Sequence, residues 1–142
     1  MTKEDRKNAY LYCKFRDEQF ALYDEYAKRH GMLMKTLLVA NVLFYAKEGM
    51  TQTEICQRTF QSKQTVNLII KNFLSASYVT VTEVPENKRN KIVKMTDAGR
   101  DYCEKVVRHI TWAEDKAMSM FTPEEQNTLI DLSRTFTKRL TE

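Results

Sequence analysis

The chain has 142 residues, with 23 Lys and Arg against 19 Asp and Glu and a formal net charge of +4. That is the length of one domain, able to bury ~70% of its unfolded surface without a disulfide or a metal, and Cys13, Cys56 and Cys103 are too scattered for a disulfide framework or a zinc knuckle. The N-terminus has no apolar signal run and no stretch approaches the roughly 18 apolar residues of a membrane span, so a cytoplasmic protein without membrane contact is expected.

With three Gly and two Pro in the whole chain, long helices are favoured over a many-stranded sheet. The first predicted helix runs from about Lys3 to His30, where Leu11, Phe15, Leu22 and Tyr26 share one face that Phe20 and Tyr23 widen. Gly31 is its expected stop. The next helix, Leu33 to Lys47, is apolar nearly all round and belongs in the middle of the fold. Gly49 ends it. Thr51-Gln52-Thr53-Glu54 reads as a capping box, opening a short helix to about Thr59 in which Cys56 reads as packing. Ser62 caps a helix to about Ser77 whose Val66, Ile69, Ile70, Phe73 and Leu74 form a core-facing stripe. Val79 to Val84 alternates as a strand. Pro85 to Asn90 reads as a polar turn and Lys91 to Met95 as the returning strand. Thr96 caps a helix to about Met120, with Tyr102, Val106 and Ile110 on its stripe. Thr122-Pro123-Glu124-Glu125 opens the last helix, whose apolar face is Leu129, Leu132, Phe136 and Leu140.

Two helices joined by a tight turn and followed by a polar-tipped hairpin make a winged helix-turn-helix. In that motif the second helix enters the DNA major groove and the hairpin tip touches the adjacent backbone or minor groove. Opposite the apolar stripe of the Ser62–Ser77 helix lie Gln64, Asn67, Leu68, Lys71 and Ser75, with Lys63 at the entrance. Gln and Asn can pair with adenine edges, Lys can reach guanine or phosphate, and Leu68 can meet a thymine methyl. The Ser62 and Thr65 hydroxyls at the positive end of the helix suit phosphate. Any surface helix shows polar residues opposite its core face, but here the hairpin that follows also concentrates Lys88, Arg89, Lys91 and Lys94.

The capped helix, the reading helix and then TVTEVPENKRNKIVKMTDAGRDYC resemble the MarR family of bacterial regulators. In that family the wing carries Asp-x-Arg, a strand ending in Leu-Thr, and a Gly shortly after. Met95-Thr96-Asp97-Ala98-Gly99 matches the strand end, Arg89 falls on the wing arginine, and FTPEEQNTL matches the usual opening of the last helix. Asn87 departs from the pattern, standing where the family has Asp. The resemblance implies a homodimeric regulator of double-stranded DNA, with a small aromatic effector as a further partner and no cofactor. It also implies a mainly α fold with a small β-hairpin wing, in which the terminal helices of two copies interlock.

The expected organisation is a single domain over 1–142. A winged-helix DNA-binding lobe would occupy about 33–96, with dimerisation helices at about 3–30 and 97–141. The apolar stripes of the terminal helices exceed what one small winged domain covers, so they pair either with a second copy or with each other. Two reading helices of a dimer would sit ~34–36 Å apart and call for a pseudo-palindromic operator. A rival reading keeps the winged helix as a protein–protein module with no operator of its own. Cys13, beside Lys14 and Arg16, is a candidate redox-sensing thiol or simply a packed one. Cys103 and His109 do not share a helix face, and no metal site is expected. There is no Gly-rich phosphate loop, HExxH or GxSxG, and so no enzyme is expected.

Overall fold

The computed structural model describes Met1–Glu142, except for the side chains of Lys88 and Arg89. Its helices are α1 (Lys3–Arg29), α2 (Met34–Tyr45), α3 (Gln52–Thr59), α4 (Lys63–Ser75), α5 (Asp97–Ser119) and α6 (Pro123–Arg139). Its strands are β1 (Met50–Thr51), β2 (Val79–Val84) and β3 (Asn87–Met95), paired antiparallel in the order β1-β3-β2. The chain divides into two compact units, Met1–Val107 and Arg108–Glu142.

The first unit is organised around α2. This helix starts at Leu33 without a side-chain cap, forgoing about 1 kcal/mol. Leu37, Val39, Ala40, Leu43 and Phe44 are all buried, and each large apolar side chain returns about 1.5–3 kcal/mol. Burial, not local propensity, fixes this helix. α1 is the opposite case, since Thr2 and Asp5 form a reciprocal capping box but Ala27 is the one residue of the helix buried. Gly31 follows it in the left-handed region, at φ +69°.

The helix-turn-helix is set by its caps. Thr51 Oγ1 accepts from the Glu54 amide at 3.1 Å, and the Glu54 carboxylate accepts from the Thr51 amide in return. Between α3 and α4 the chain turns on Phe60, a non-glycine residue in left-handed geometry (φ 55°). Gln61 then donates through Nε2 to the Lys35 carbonyl at 3.1 Å, tying the turn to α2. α4 buries Val66, Ile69, Ile70 and Phe73, the expected stripe, while Leu74 lies outside it, 45% exposed.

The hairpin is longer and tighter than expected. β3 begins at Asn87, which pairs with Val84 across Pro85–Glu86, and the register then shifts so that Glu83 faces Lys91, where the expected returning strand starts. A third strand, β1, was not expected. Met50 pairs with Val93 and Thr51 with Ile92, so Thr51 closes a sheet edge and caps a helix at once.

Thr96 joins the sheet to α5. Its hydroxyl donates to the Ser77 carbonyl at 2.7 Å and accepts from the Gly99 amide at 3.1 Å. A Cβ at Gly99 would stand 2.1 Å from the Tyr78 carbonyl oxygen, a backbone atom that already accepts from the Thr96 amide. Gly99→Ala is therefore expected to lower stability by about 1–3 kcal/mol, the range for overpacking a close contact, which urea unfolding will measure. Arg100 clamps α5 to α2, donating to the Phe44 carbonyl at 2.9 Å with its guanidinium over the Phe44 ring.

In the second unit α6 opens on the expected capping box of Thr122 and Glu125 with Pro123 in the first turn. Gln126 Nε2 donates to the Met118 and Phe121 carbonyls and closes the turn before it. No residue of α6 is buried.

Candidate nucleic-acid interface

α4 places its side chains by helical period alone. With Val66, Ile69, Ile70 and Phe73 turned inward, the outward residues are Lys63, Gln64, Asn67, Leu68 and Lys71, all exposed. Leu68 is 60% exposed although apolar. Burying it against a base methyl would recover part of the about 1.5–3 kcal/mol forgone in water. Five of the residues singled out in the sequence are thus on one surface.

Ser62 and Thr65 are bonded to each other at the start of α4. Ser62 Oγ accepts from the Thr65 amide at 3.1 Å as the helix cap, and the two hydroxyls bond each other at 2.8 Å. One hydroxyl proton of the pair is spent inside the helix start.

Beside α4 lies a cleft of about 380 Å³, between the starts of α3 and α4 and the hairpin, with Gln52, Cys56, Lys63, Asn90 and Lys91 on its walls. Lys63 and Lys91 come from elements far apart in sequence and meet on this cleft, giving it a positive lining suited to a polyanion. Lys88 and Arg89, expected at the wing tip, lie outside the described side chains. Gln52 and Asn90 were not anticipated. Gln52 Nε2 donates to Asn67 Oδ1, a bond across fifteen positions that no local pattern signals.

The thiols separate into two classes. Cys13 and Cys56 are half-buried, and Cys56 stands on the cleft wall rather than in the core. Next to Cys13, Arg16 forks through Nε and Nη2 onto Asp17 Oδ1, both at 3.0 Å, so its charge is engaged by a carboxylate. Cys103 is buried, and desolvation pushes its thiol up to about 11. At pH 8 iodoacetamide is expected to alkylate Cys13 and Cys56 well before Cys103, which peptide mass mapping will resolve. Among the described residues no group of three or more His, Cys, Asp or Glu is placed to hold a metal ion, and no helix is long and apolar enough to cross a membrane.

Residues 31–90 match the model of the MarR family, the segment holding α2, α3, α4 and most of the hairpin. A search of curated proteins returns no match. Among solved structures, AbsC, a MarR family transcriptional regulator from Streptomyces coelicolor, is 15% identical with a TM-score of 0.82 over 99% of this chain and 97% of that one. MepR from Staphylococcus aureus, in complex with DNA, is 16% identical with a TM-score of 0.74, covering 94% of this chain and 97% of that one. BpsR from Bordetella bronchiseptica, described for the regulation of its DNA binding by 6-hydroxynicotinic acid, is 16% identical with a TM-score of 0.70 over 91% of each chain. Residues 31–90 of this chain are similar to the MarR family, and the chain as a whole has the fold of the MarR-family structures it matches.

Proposed function

We propose that the protein is a DNA-binding transcription regulator, a ligand- or stress-responsive repressor that acts in the cytoplasm as a homodimer on a pseudo-palindromic operator. The observation that carries this reading is the outward face of α4, where Gln64, Asn67, Leu68 and Lys71 are exposed together beside the cleft that Lys63 shares with Lys91. The three polar side chains have the donors and acceptors that base edges in the major groove match, and Leu68 suits a thymine methyl. Ser62, Lys63, Thr65, Lys88 and Lys91 contact phosphates, and Arg89 enters the minor groove beside the wing.

Dimerisation is supported by what the single chain leaves uncovered. Leu11, Phe15, Phe20 and Leu22 of α1 and Leu129, Ile130 and Leu132 of α6 are all more than 40% exposed, an apolar surface that soluble chains rarely leave to water. α1 and the region from α5 onward are the dimerisation helices in this reading, and about 33–96 is the DNA-binding lobe. A small aromatic effector fits the same scheme, because the BpsR relative is described with 6-hydroxynicotinic acid. It would act by changing the spacing of the two reading helices. Cys13, half-buried on α1, is the candidate redox-sensing thiol of this scheme. No step of the scheme is catalytic.

Selection of bound duplexes from a random pool, followed by sequencing, tests the reading. A symmetric pair of half-sites about one helical turn apart is expected, and recovery of unrelated sequences would refute it. On the selected duplex, Lys63→Ala is expected to weaken all sequences alike and to reduce the salt slope by about 2 for the dimer, one phosphate contact per copy.

A further inference from the structure

The geometry points to Gln52 as a specificity-determining residue that acts through Asn67. The inference rests on the proposed DNA-binding function and concerns which base Asn67 reads. Gln52 opens α3 immediately after Thr51, whose own backbone is pinned by pairing with Ile92 in the sheet and by the capping box with Glu54. The glutamine therefore starts from a fixed point, and its half-buried side chain on the cleft wall reaches α4 to donate to Asn67 Oδ1. An asparagine pairs with adenine by presenting its oxygen and its nitrogen to the same base edge, the oxygen accepting from N6 and the nitrogen donating to N7. Here the oxygen is turned back toward α3, and the exposed end of the amide is Nδ2, a donor. A donor facing the major groove matches guanine, whose N7 and O6 are both acceptors. Asn67 thus reads guanine rather than the adenine expected from its residue type.

Duplex selection with wild type, Gln52→Ala, Gln52→Glu and Asn67→Ala tests this, and base preference is read from the folded fraction, so a loss of stability does not imitate the effect. Wild type is expected to select guanine at the base pair whose preference Asn67→Ala abolishes. Gln52→Ala releases the amide and should raise the adenine-to-guanine ratio there at least about fivefold, the lower end of one base contact. Gln52→Glu can only accept, so it should draw Nδ2 inward, turn Oδ1 outward and favour cytosine, whose N4 donates. Adenine in the wild-type site, or guanine retained by both Gln52 variants, overturns the role of Gln52 and leaves the DNA-binding reading standing. Loss of nothing in Asn67→Ala removes Asn67 as a reader, and this inference with it. Absence of any selected sequence in wild type removes the function itself.

Discussion

Changing Leu129 and Leu132 of α6 to glutamate is expected to give a monomer whose operator affinity falls about a hundredfold or more, the range over which linked sites exceed single ones. Neither leucine is buried in the single chain, at 42% and 64% exposed, so the substitutions remove nothing from the core. In a two-fold dimer each change counts twice, deleting four apolar contacts of about 1.5–3 kcal/mol each and adding four charges to a dry surface. Sedimentation gives the mass, and circular dichroism shows that the helices survive. A double variant that stays dimeric would move the interface off α6, leaving the exposed stripe of α1 as its remaining site.

Arg89→Ala is expected to weaken operator binding at least about tenfold, the scale of one charge-assisted contact of ~1.5–3 kcal/mol. The two-residue turn at Pro85–Glu86 puts position 89 on β3 close to the hairpin tip. A narrow A·T-rich groove has an enhanced negative potential that attracts a guanidinium. Asn87 stands where the wing pattern that this stretch resembles has an aspartate, so in the proposed complex that position brings no carboxylate to repel phosphates or to hold the arginine. Asn87→Asp should therefore change affinity less than Arg89→Ala, because better positioning and added repulsion oppose each other. Titrating both variants on one duplex at fixed salt decides it, and wild-type affinity in Arg89→Ala would take the wing out of the mechanism.

What the sequence made legible was whatever depends on neighbours within one helical turn. The caps at Thr51, Ser62 and Thr122 are local chemistry, and each is present. The core stripe of α4 follows from its period, and with it the outward face of Gln64, Asn67, Leu68 and Lys71. Non-local pairing was not legible. β1 is two residues long and exists because Met50 and Thr51 meet Val93 and Ile92, some forty positions away. The ladder from Lys91 to Met95 falls where the alternation expects it, whereas the extension of β3 back to Asn87 was not legible, because PENKRN has the composition of a loop and the pairing with Val84 lies past a register shift. Gly99 was recognised only as part of a motif, and its physical reason, the Tyr78 carbonyl pressed against it, appears once α5 is packed. Gln52 escaped notice for the same reason. Its place in a capping box said nothing of Asn67.

The most direct test of a DNA-reading dimer is the affinity of the wild-type protein for its selected duplex, titrated by fluorescence anisotropy from low to high salt. Lys63, Lys88 and Lys91 in each of two copies predict a log–log slope of about −5, at roughly 0.9 per phosphate neutralised, with two chains bound per duplex. Binding that is insensitive to salt, or indifferent to sequence at every salt concentration, would contradict the account.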